Sequence, residues 1–125
     1  MKMIICKHCG NMLSFIHNSG APVTCCGEQM AELTPNTVEA SAEKHLPVFA
    51  ILADKMDVQV GSVVHPMEKE HYISHIIAET SKGHILKTLT PGEEPKASFA
   101  YSQDDKPVAV YAYCNLHGLW KTEVK

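Results

Sequence analysis

The chain has 125 residues, of which 45% are apolar and 20% are charged, and its formal net charge is −3. This composition is typical of a soluble globular protein, and the length fits one domain or a small module joined to a larger one. The negative charge argues against nucleic acid as the main partner, because phosphate binding requires a cationic face.

No membrane or secretion signal is expected from the sequence. No apolar run reaches the roughly 18 residues that a membrane-spanning helix needs. The N-terminal residues, MKMIICKHCG, lack the long apolar core and the small-residue cleavage site of a signal peptide. We therefore predict a cytoplasmic protein, whose cysteines stay reduced and bind metal or take part in chemistry. The odd total of five cysteines also argues against a simple disulfide scaffold.

The first 34 residues contain four cysteines in a pattern typical of a metal site. Cys6 and Cys9 form a C-x-x-C pair, and Cys25 and Cys26 are adjacent. Four thiolates suit a tetrahedral Zn²⁺ or a single iron ion, and the spacing alone does not decide between them. A segment this short buries too little apolar surface to fold alone, so we expect the metal to stabilise it. Neighbouring cysteines can bind one ion only if the backbone bends between them.

The segment LTPNT, residues 33–37, is predicted to be a linker, because proline and asparagine favour a turn. Beyond it, β-rich runs recur about every ten residues and are separated by turn-forming residues. The predicted strands are 48–52, 57–64, 71–78, 84–89, 97–102 and 108–114. This spacing predicts an antiparallel β-sandwich or barrel, with little helix.

Four histidines and the fifth cysteine lie at strand edges or in the adjoining loops, where distant segments can converge. They are His45, His65, His71, Cys114 and His117. Together they offer four imidazoles and one thiolate, which would leave a sixth octahedral position open. This mixed set of nitrogen and sulfur donors suits iron better than magnesium or calcium, and it exceeds what tetrahedral zinc needs.

The remaining histidines are predicted not to bind metal. His8 and His17 are expected at the surface of the first module, where four cysteines already complete a tetrahedral site. His75 follows His71 by four residues, and in one strand the two would be roughly 13 Å apart, too far for a shared ion. His84 is also predicted to be a non-ligand.

Two other functions remain open at this level. A non-haem iron oxygenase could use a β-fold, but it normally requires a carboxylate ligand, and no H-x-D/E pair accompanies the candidate ligands. A non-catalytic electron-transfer or zinc-stabilised binding protein could hold metal only in the four-cysteine module. That alternative leaves the set of four histidines and Cys114 unexplained.

Three motifs carry a resemblance to a known family. EKHLPV, GSVVHPMEKEHYI and YCNLHGLW, in this order after the C-x-x-C…CC module, resemble desulfoferrodoxin, the two-iron form of superoxide reductase. The resemblance covers essentially the whole chain. It implies a desulforedoxin-like Fe(Cys)4 domain at residues 1–36 and an immunoglobulin-like antiparallel β-sandwich at residues 37–125.

The resemblance also implies the roles of particular residues. Cys6, Cys9, Cys25 and Cys26 would hold the first iron. The second iron would have His45, His65, His71 and His117 as equatorial ligands and Cys114 as its axial ligand. Glu43 and Lys44 match the mobile glutamate and lysine beside the open iron face.

The implied activity is one-electron reduction of superoxide to hydrogen peroxide at the second iron. A rubredoxin-type donor would then return the electron. A homodimer is implied as well.

Overall fold

The computed structural model describes all 125 residues, which divide into two compact units, Met1–Thr34 and Pro35–Lys125. The domain bounds 1–36 and 37–125 stay a prediction. The chain contains twelve β-strands and one short helix: β1 (Met3–Ile5), β2 (Met12–Ser14), β3 (Thr24–Cys25), β4 (Glu28–Gln29), β5 (Ala31–Glu32), α1 (Ala42–His45), β6 (Pro47–Leu52), β7 (Lys55–Val60), β8 (Ile73–Thr80), β9 (His84–Thr88), β10 (Lys96–Ala100), β11 (Pro107–Cys114) and β12 (Gly118–Glu123). No helix is long and apolar enough to cross a membrane.

The first unit is built from very short strands. The central strand β1 pairs with β2 on one side and β5 on the other, and β3 pairs with β4 in a separate ribbon. Its core cluster consists of Ile4, Cys6 and Met30, with a few partly buried side chains against them, and Met3 is also buried. So small a core stabilises a fold weakly, which is consistent with a metal-stabilised module.

The second unit is a sandwich of two antiparallel sheets. One has the strand order β10-β7-β6 and the other the order β12-β11-β8-β9. The shared core includes fully buried Met56, Ile76, Phe99 and Val110, which come from β7, β8, β10 and β11. Burying each such side chain contributes about 1.5–3 kcal/mol. The prediction of a mainly β chain with an antiparallel sandwich is confirmed.

The period-two pattern of the sequence accounts for the central strands. In β7 the apolar residues Met56, Val58 and Val60 are buried, while the intervening Asp57 and Gln59 are partly exposed. Successive side chains of a strand point to opposite faces, so this alternation places one face against the core.

In the second unit the structure differs from the predicted strands by more than one residue at four places. The strand predicted at 57–64 runs from Lys55 to Val60, the one predicted at 71–78 runs from Ile73 to Thr80, and the one predicted at 97–102 runs from Lys96 to Ala100. The fourth difference is β12, which the sequence pattern does not predict. It forms because Gly118, at φ 77°, closes a tight hairpin in which Cys114 pairs with Gly118.

Candidate metal centres

The four cysteines of the first unit converge on one point. Their sulfur atoms all lie within 4.8 Å of one another. Cys9 Sγ is 3.6 Å from Cys25 Sγ, and Cys25 Sγ is 4.0 Å from Cys26 Sγ. Tetrahedral thiolates with metal–sulfur distances near 2.3 Å would be about 3.8 Å apart. The spacing therefore fits one tetrahedral ion, and no disulfide joins the cysteines.

The backbone around these cysteines has the bends that metal binding requires. Cys26 lies at φ 53° and is followed by Gly27 at φ 76°, so the adjacent pair is not extended. The N–H of Cys9 donates to Cys6 Sγ over 3.5 Å. Hydrogen bonding from the backbone N–H of Cys9 lowers the pKa of Cys6 to about 6, which favours the thiolate that binds metal.

A second cluster lies in the sandwich unit. The donor atoms of His45, His65, His71 and Cys114 all lie within 4.8 Å of one another. His117 joins them, because its Nδ1 is 3.1 Å from His45 Nε2 and 3.8 Å from Cys114 Sγ. The structure thus brings together all five residues that the sequence singled out.

The local elements explain how these side chains meet. His45 ends the helix α1, and His65 lies in the loop after β7. His71 lies just before β8, and Cys114 and His117 flank the β11–β12 turn. Every ligand candidate therefore lies at the end of an element or in a connecting loop, as expected for a site formed by distant segments.

Two of the histidines face each other with unprotonated nitrogens. His45 Nδ1 donates to Ser41 O over 2.7 Å, and His65 Nδ1 donates to Pro66 O over 2.7 Å. A carbonyl oxygen only accepts, so each Nδ1 carries the ring proton and each Nε2 keeps a bare lone pair in the neutral imidazole. Burial lowers the pKa of His45, and it lowers the pKa of His65 to about 4, so both rings are neutral near pH 7.

These bare nitrogens are 3.2 Å apart, although no hydrogen atom lies between them to form a bond. Two nitrogen lone pairs this close repel each other unless a cation lies between them. Adjacent imidazoles with metal–nitrogen distances near 2.1 Å would have nitrogens about 3 Å apart. The buried Nε2 of His71 also has no hydrogen-bond partner. The donor set therefore fits a transition-metal ion, and one soft sulfur among imidazoles fits iron.

Cys114 is fully buried at the bottom of this cluster, within the apolar core. Burial raises the pKa of its thiol. The metal-free protein therefore keeps Cys114 protonated at neutral pH, and a bound metal would displace that proton, since only the thiolate is a ligand.

The single tryptophan supports two of the ligands. The Trp120 indole stacks on the His45 ring, with centroids 5.0 Å apart and planes 30° apart. Its Nε1 donates to His117 O over 3.1 Å. In the sequence, Trp120 stands out only as a neighbour of the Cys114 motif, and the adjacent C-x-x-H pair is the one signal that points to it.

Glu43 and Lys44 lie on the helix that ends at His45, and both are exposed. The carbonyl oxygen of Glu43 accepts hydrogen bonds from Val63 N–H over 3.0 Å and from Ser62 Oγ over 3.2 Å. Burial is the main cause that lowers the pKa of His45, and the positive charge of Lys44 acts in the same direction.

The other histidines lie outside both clusters. His8 is exposed and contacts Glu28 over 2.5 Å, and His17 and His84 are also exposed. His75 is partly buried within β8, where its Nδ1 is 2.7 Å from Ser74 Oγ. None of these four belongs to a group of converging metal donors.

Comparison with known proteins agrees with this geometry. The desulfoferrodoxin family model matches residues 37–123. Desulfoferrodoxin from Syntrophotalea carbinolica is 42% identical over 118 residues, which cover 94% of this chain and 92% of that protein. A desulfoferrodoxin homologue from Archaeoglobus fulgidus is 40% identical and covers 98% of this chain and 96% of its own.

Solved structures show the same relationship. The superoxide reductase from Treponema pallidum is 35% identical, with a TM-score of 0.81, and the match covers 97% of this chain and 98% of that one. A superoxide reductase of the 1Fe type from Giardia intestinalis is 32% identical, with a TM-score of 0.54, over 66% of this chain and 98% of its own. Together with the two clusters of metal donors, these matches show that the chain belongs to the desulfoferrodoxin family.

Proposed function

We propose that this chain is a superoxide reductase, which reduces superoxide by one electron to hydrogen peroxide. The observation that carries the proposal is the meeting of bare, neutral histidine nitrogens with the buried Cys114 sulfur around one point. Membership of the desulfoferrodoxin family and the likeness to solved superoxide reductases support it. A protein with metal only in its four-cysteine unit would leave this second cluster without a purpose.

The site residues are assigned to two iron centres. Cys6, Cys9, Cys25 and Cys26 hold the first iron, and His45, His65, His71, Cys114 and His117 hold the second. An ion held by the five donors of the second set would have room for one further small ligand. A ferrous ion held there would supply the electron, and superoxide, one electron and two protons together give hydrogen peroxide.

The protein contributes charge and donor strength to this reaction. Four neutral imidazoles and one thiolate leave a dipositive ion with a net charge near +1, so the site attracts an anion although the chain carries −3. As a ligand, the Cys114 thiolate would donate electron density to the iron, which would favour reduction of superoxide. Since no acidic side chain belongs to the converging donors, no carboxylate opposes the approach of the anion among them.

Lys44 and Glu43 are the proposed residues at the entrance to the site. The exposed ammonium group of Lys44 attracts superoxide and orients the water that delivers protons. Glu43 is held through its backbone carbonyl by Ser62 and Val63, which leaves its exposed carboxylate able to move. The helix thus carries a cation and an anion directly before the ligand His45.

Three further assignments rest on the family resemblance. A rubredoxin-type protein is the proposed electron donor, and steady turnover with reduced rubredoxin would test it. A homodimer is proposed, and sedimentation should then give twice the 13.8 kDa of the chain. The cytoplasm is the proposed location, which cell fractionation would test, because the thiolate ligands need reducing conditions.

The activity is tested by mixing the reduced, iron-containing protein with a pulse of superoxide and counting the products. A reductase yields one peroxide per superoxide with no matching oxygen, whereas dismutation yields half as much peroxide together with an equal amount of oxygen. The visible spectrum reports which iron is oxidised. The same protein filled with zinc, which has no redox chemistry, is the control. An iron-filled second cluster that is not oxidised by superoxide would refute the proposal.

A further inference from the structure

Asn115 connects the two loops that bring Cys114 and His71 into the second cluster. Its Oδ1 accepts from Tyr72 N–H over 2.9 Å, and its Nδ2 donates to Glu70 O over 3.0 Å. Its own backbone N–H donates to Tyr72 O over 3.2 Å. Three hydrogen bonds therefore run from one residue to the two neighbours of His71.

This arrangement extends the sheet beyond its last strand pair. The pairing between β11 and β8 ends where Cys114 meets Ile73, after a register shift between Tyr113 and Cys114. The Asn115 side-chain amide then takes the place of a backbone peptide, because it offers one acceptor and one donor in the same plane. It fixes the backbone on both sides of His71 relative to the backbone that carries Cys114.

His71 depends on its backbone more than the other histidines do. The rings of His45 and His65 are oriented by hydrogen bonds from Nδ1 to the carbonyls of Ser41 and Pro66. The ring of His71 makes no such hydrogen bond, and its buried Nε2 has no partner. Apart from Asn115, its position is set by two backbone bonds to Glu68, of 3.0 and 3.1 Å.

We propose that Asn115 is a positioning residue that holds His71 at bonding distance from the metal shared with Cys114. This inference rests on the proposed iron site and adds a residue that does not itself bind the metal. Hydrogen-bonded partners behind metal ligands typically change metal affinity 10–100-fold when removed. Asn115 would raise metal affinity by fixing the backbone on both sides of His71. Ser41 and Pro66 instead orient the rings of His45 and His65 directly.

Asn115→Ala tests the proposal, because it removes both side-chain hydrogen bonds. Iron release from each centre is followed by absorption while a chelator competes for the metal. We expect the second cluster to release iron about 10–100-fold faster than in the unsubstituted chain. The four-cysteine centre of the same molecule is an internal reference, and its release rate should not change.

Asn36 offers a matched control. It is also exposed, and its side chain also makes two hydrogen bonds to backbone, accepting from Lys121 N–H over 2.8 Å and donating to Lys121 O over 3.1 Å. Asn36 has a φ of 62°, a conformation that glycine adopts without strain. Asn36→Gly therefore removes both side-chain bonds to Lys121 and leaves the backbone unstrained. Iron release from the second cluster should stay within about twofold of the original rate, since these two bonds reach the backbone of Lys121 and none of the five candidate ligands.

The outcomes separate the two proposals. Faster iron release from the second cluster in N115A alone supports positioning by Asn115. Equal release rates from N115A and N36G, or an unchanged rate in N115A, overturn this inference and leave the reductase proposal intact. An unsubstituted chain that binds iron only at the four-cysteine centre overturns both. If N115A does not fold, N115D keeps the acceptor for Tyr72 N–H but not the donor to Glu70 O. Release from N115D at the original rate would then overturn the inference.

Discussion

Gly61 is the position where a single added carbon would disturb the site most directly. A Cβ built there would collide with Glu43 O and would lie 2.8 Å from Lys44 C and 3.0 Å from Leu46 O. All three are backbone atoms, so no side-chain rotation can relieve the contacts. Gly61→Ala must therefore push the segment that carries Glu43, Lys44 and His45 away from the end of β7.

The cost follows from the number of contacts. Overpacking usually destabilises a protein by about 1–3 kcal/mol, and three rigid contacts place Gly61→Ala near 3 kcal/mol. For a unit of this size each kcal/mol shifts the melting temperature by about 4–8 °C, so a loss of about 12–24 °C is expected. The displacement also moves His45 relative to His65. In the unsubstituted chain the Nε2 atoms of these two residues are 3.2 Å apart, so iron affinity should fall as well.

Gly83→Ala is the matched control for this substitution. No heavy atom lies within 4 Å of a Cβ built at Gly83, and its φ is not in the left-handed region. Alanine there should be neutral or should stabilise the protein by about 0.4–1 kcal/mol, because it restricts the unfolded chain. Thermal unfolding of the metal-free proteins compares the two variants, and iron titration follows. An equal melting temperature for both would refute the steric argument.

Three further substitutions test separate parts of the site. Cys114→Ser should keep the fold but lower the rate of superoxide reduction. The loss should exceed the roughly 10–100-fold that is typical when a residue hydrogen-bonded to a metal ligand is replaced; a fully active variant would contradict the role of the thiolate. Lys44→Gln should slow the reaction with superoxide about tenfold at low salt and flatten its dependence on ionic strength; stopped-flow rates equal to those of the unsubstituted chain at every salt concentration would reject electrostatic attraction by Lys44. Trp120→Phe keeps an aromatic ring on His45 but cannot donate to His117 O, so urea unfolding should show a loss of about 1 kcal/mol; an unchanged midpoint would assign that bond no net stabilisation.

The parts of the fold that the sequence predicts are those with a local signal. Alternating apolar residues identify β7, and a continuous apolar run identifies β11; both strands contribute to the core. The bend at Cys26 is also expected, because two adjacent cysteines cannot otherwise face one ion. The metal donors are recognisable because each stands in a loop or at the end of an element.

The parts that the sequence does not predict depend on contacts between distant segments. The side chain of Asn115 bonds to residues 43 and 45 positions away, and no local pattern indicates such a register. The same holds for Gly61. A side chain is excluded at this position only because the backbone of the helix α1 lies close to the end of β7. The predicted start of β8 is two residues early for this reason, since Asn115 takes the hydrogen-bonding groups that a strand partner would use at Tyr72.

The choice of ring nitrogen at each histidine follows from how its loop reaches the cluster. His117 comes only three residues after Cys114, in a tight turn, and it presents Nδ1, the nitrogen nearer its own backbone. His45 and His65 arrive from separate segments and present Nε2, while Nδ1 donates to a carbonyl of their own loop. A short C-x-x-H turn therefore requires the near nitrogen, whereas a histidine on a separate segment can use the far one and anchor its ring behind it. The far nitrogen of His71, Nε2, is buried without a hydrogen-bond partner, and the ring has no anchor of this kind, which is why the proposed role of Asn115 concerns that ligand.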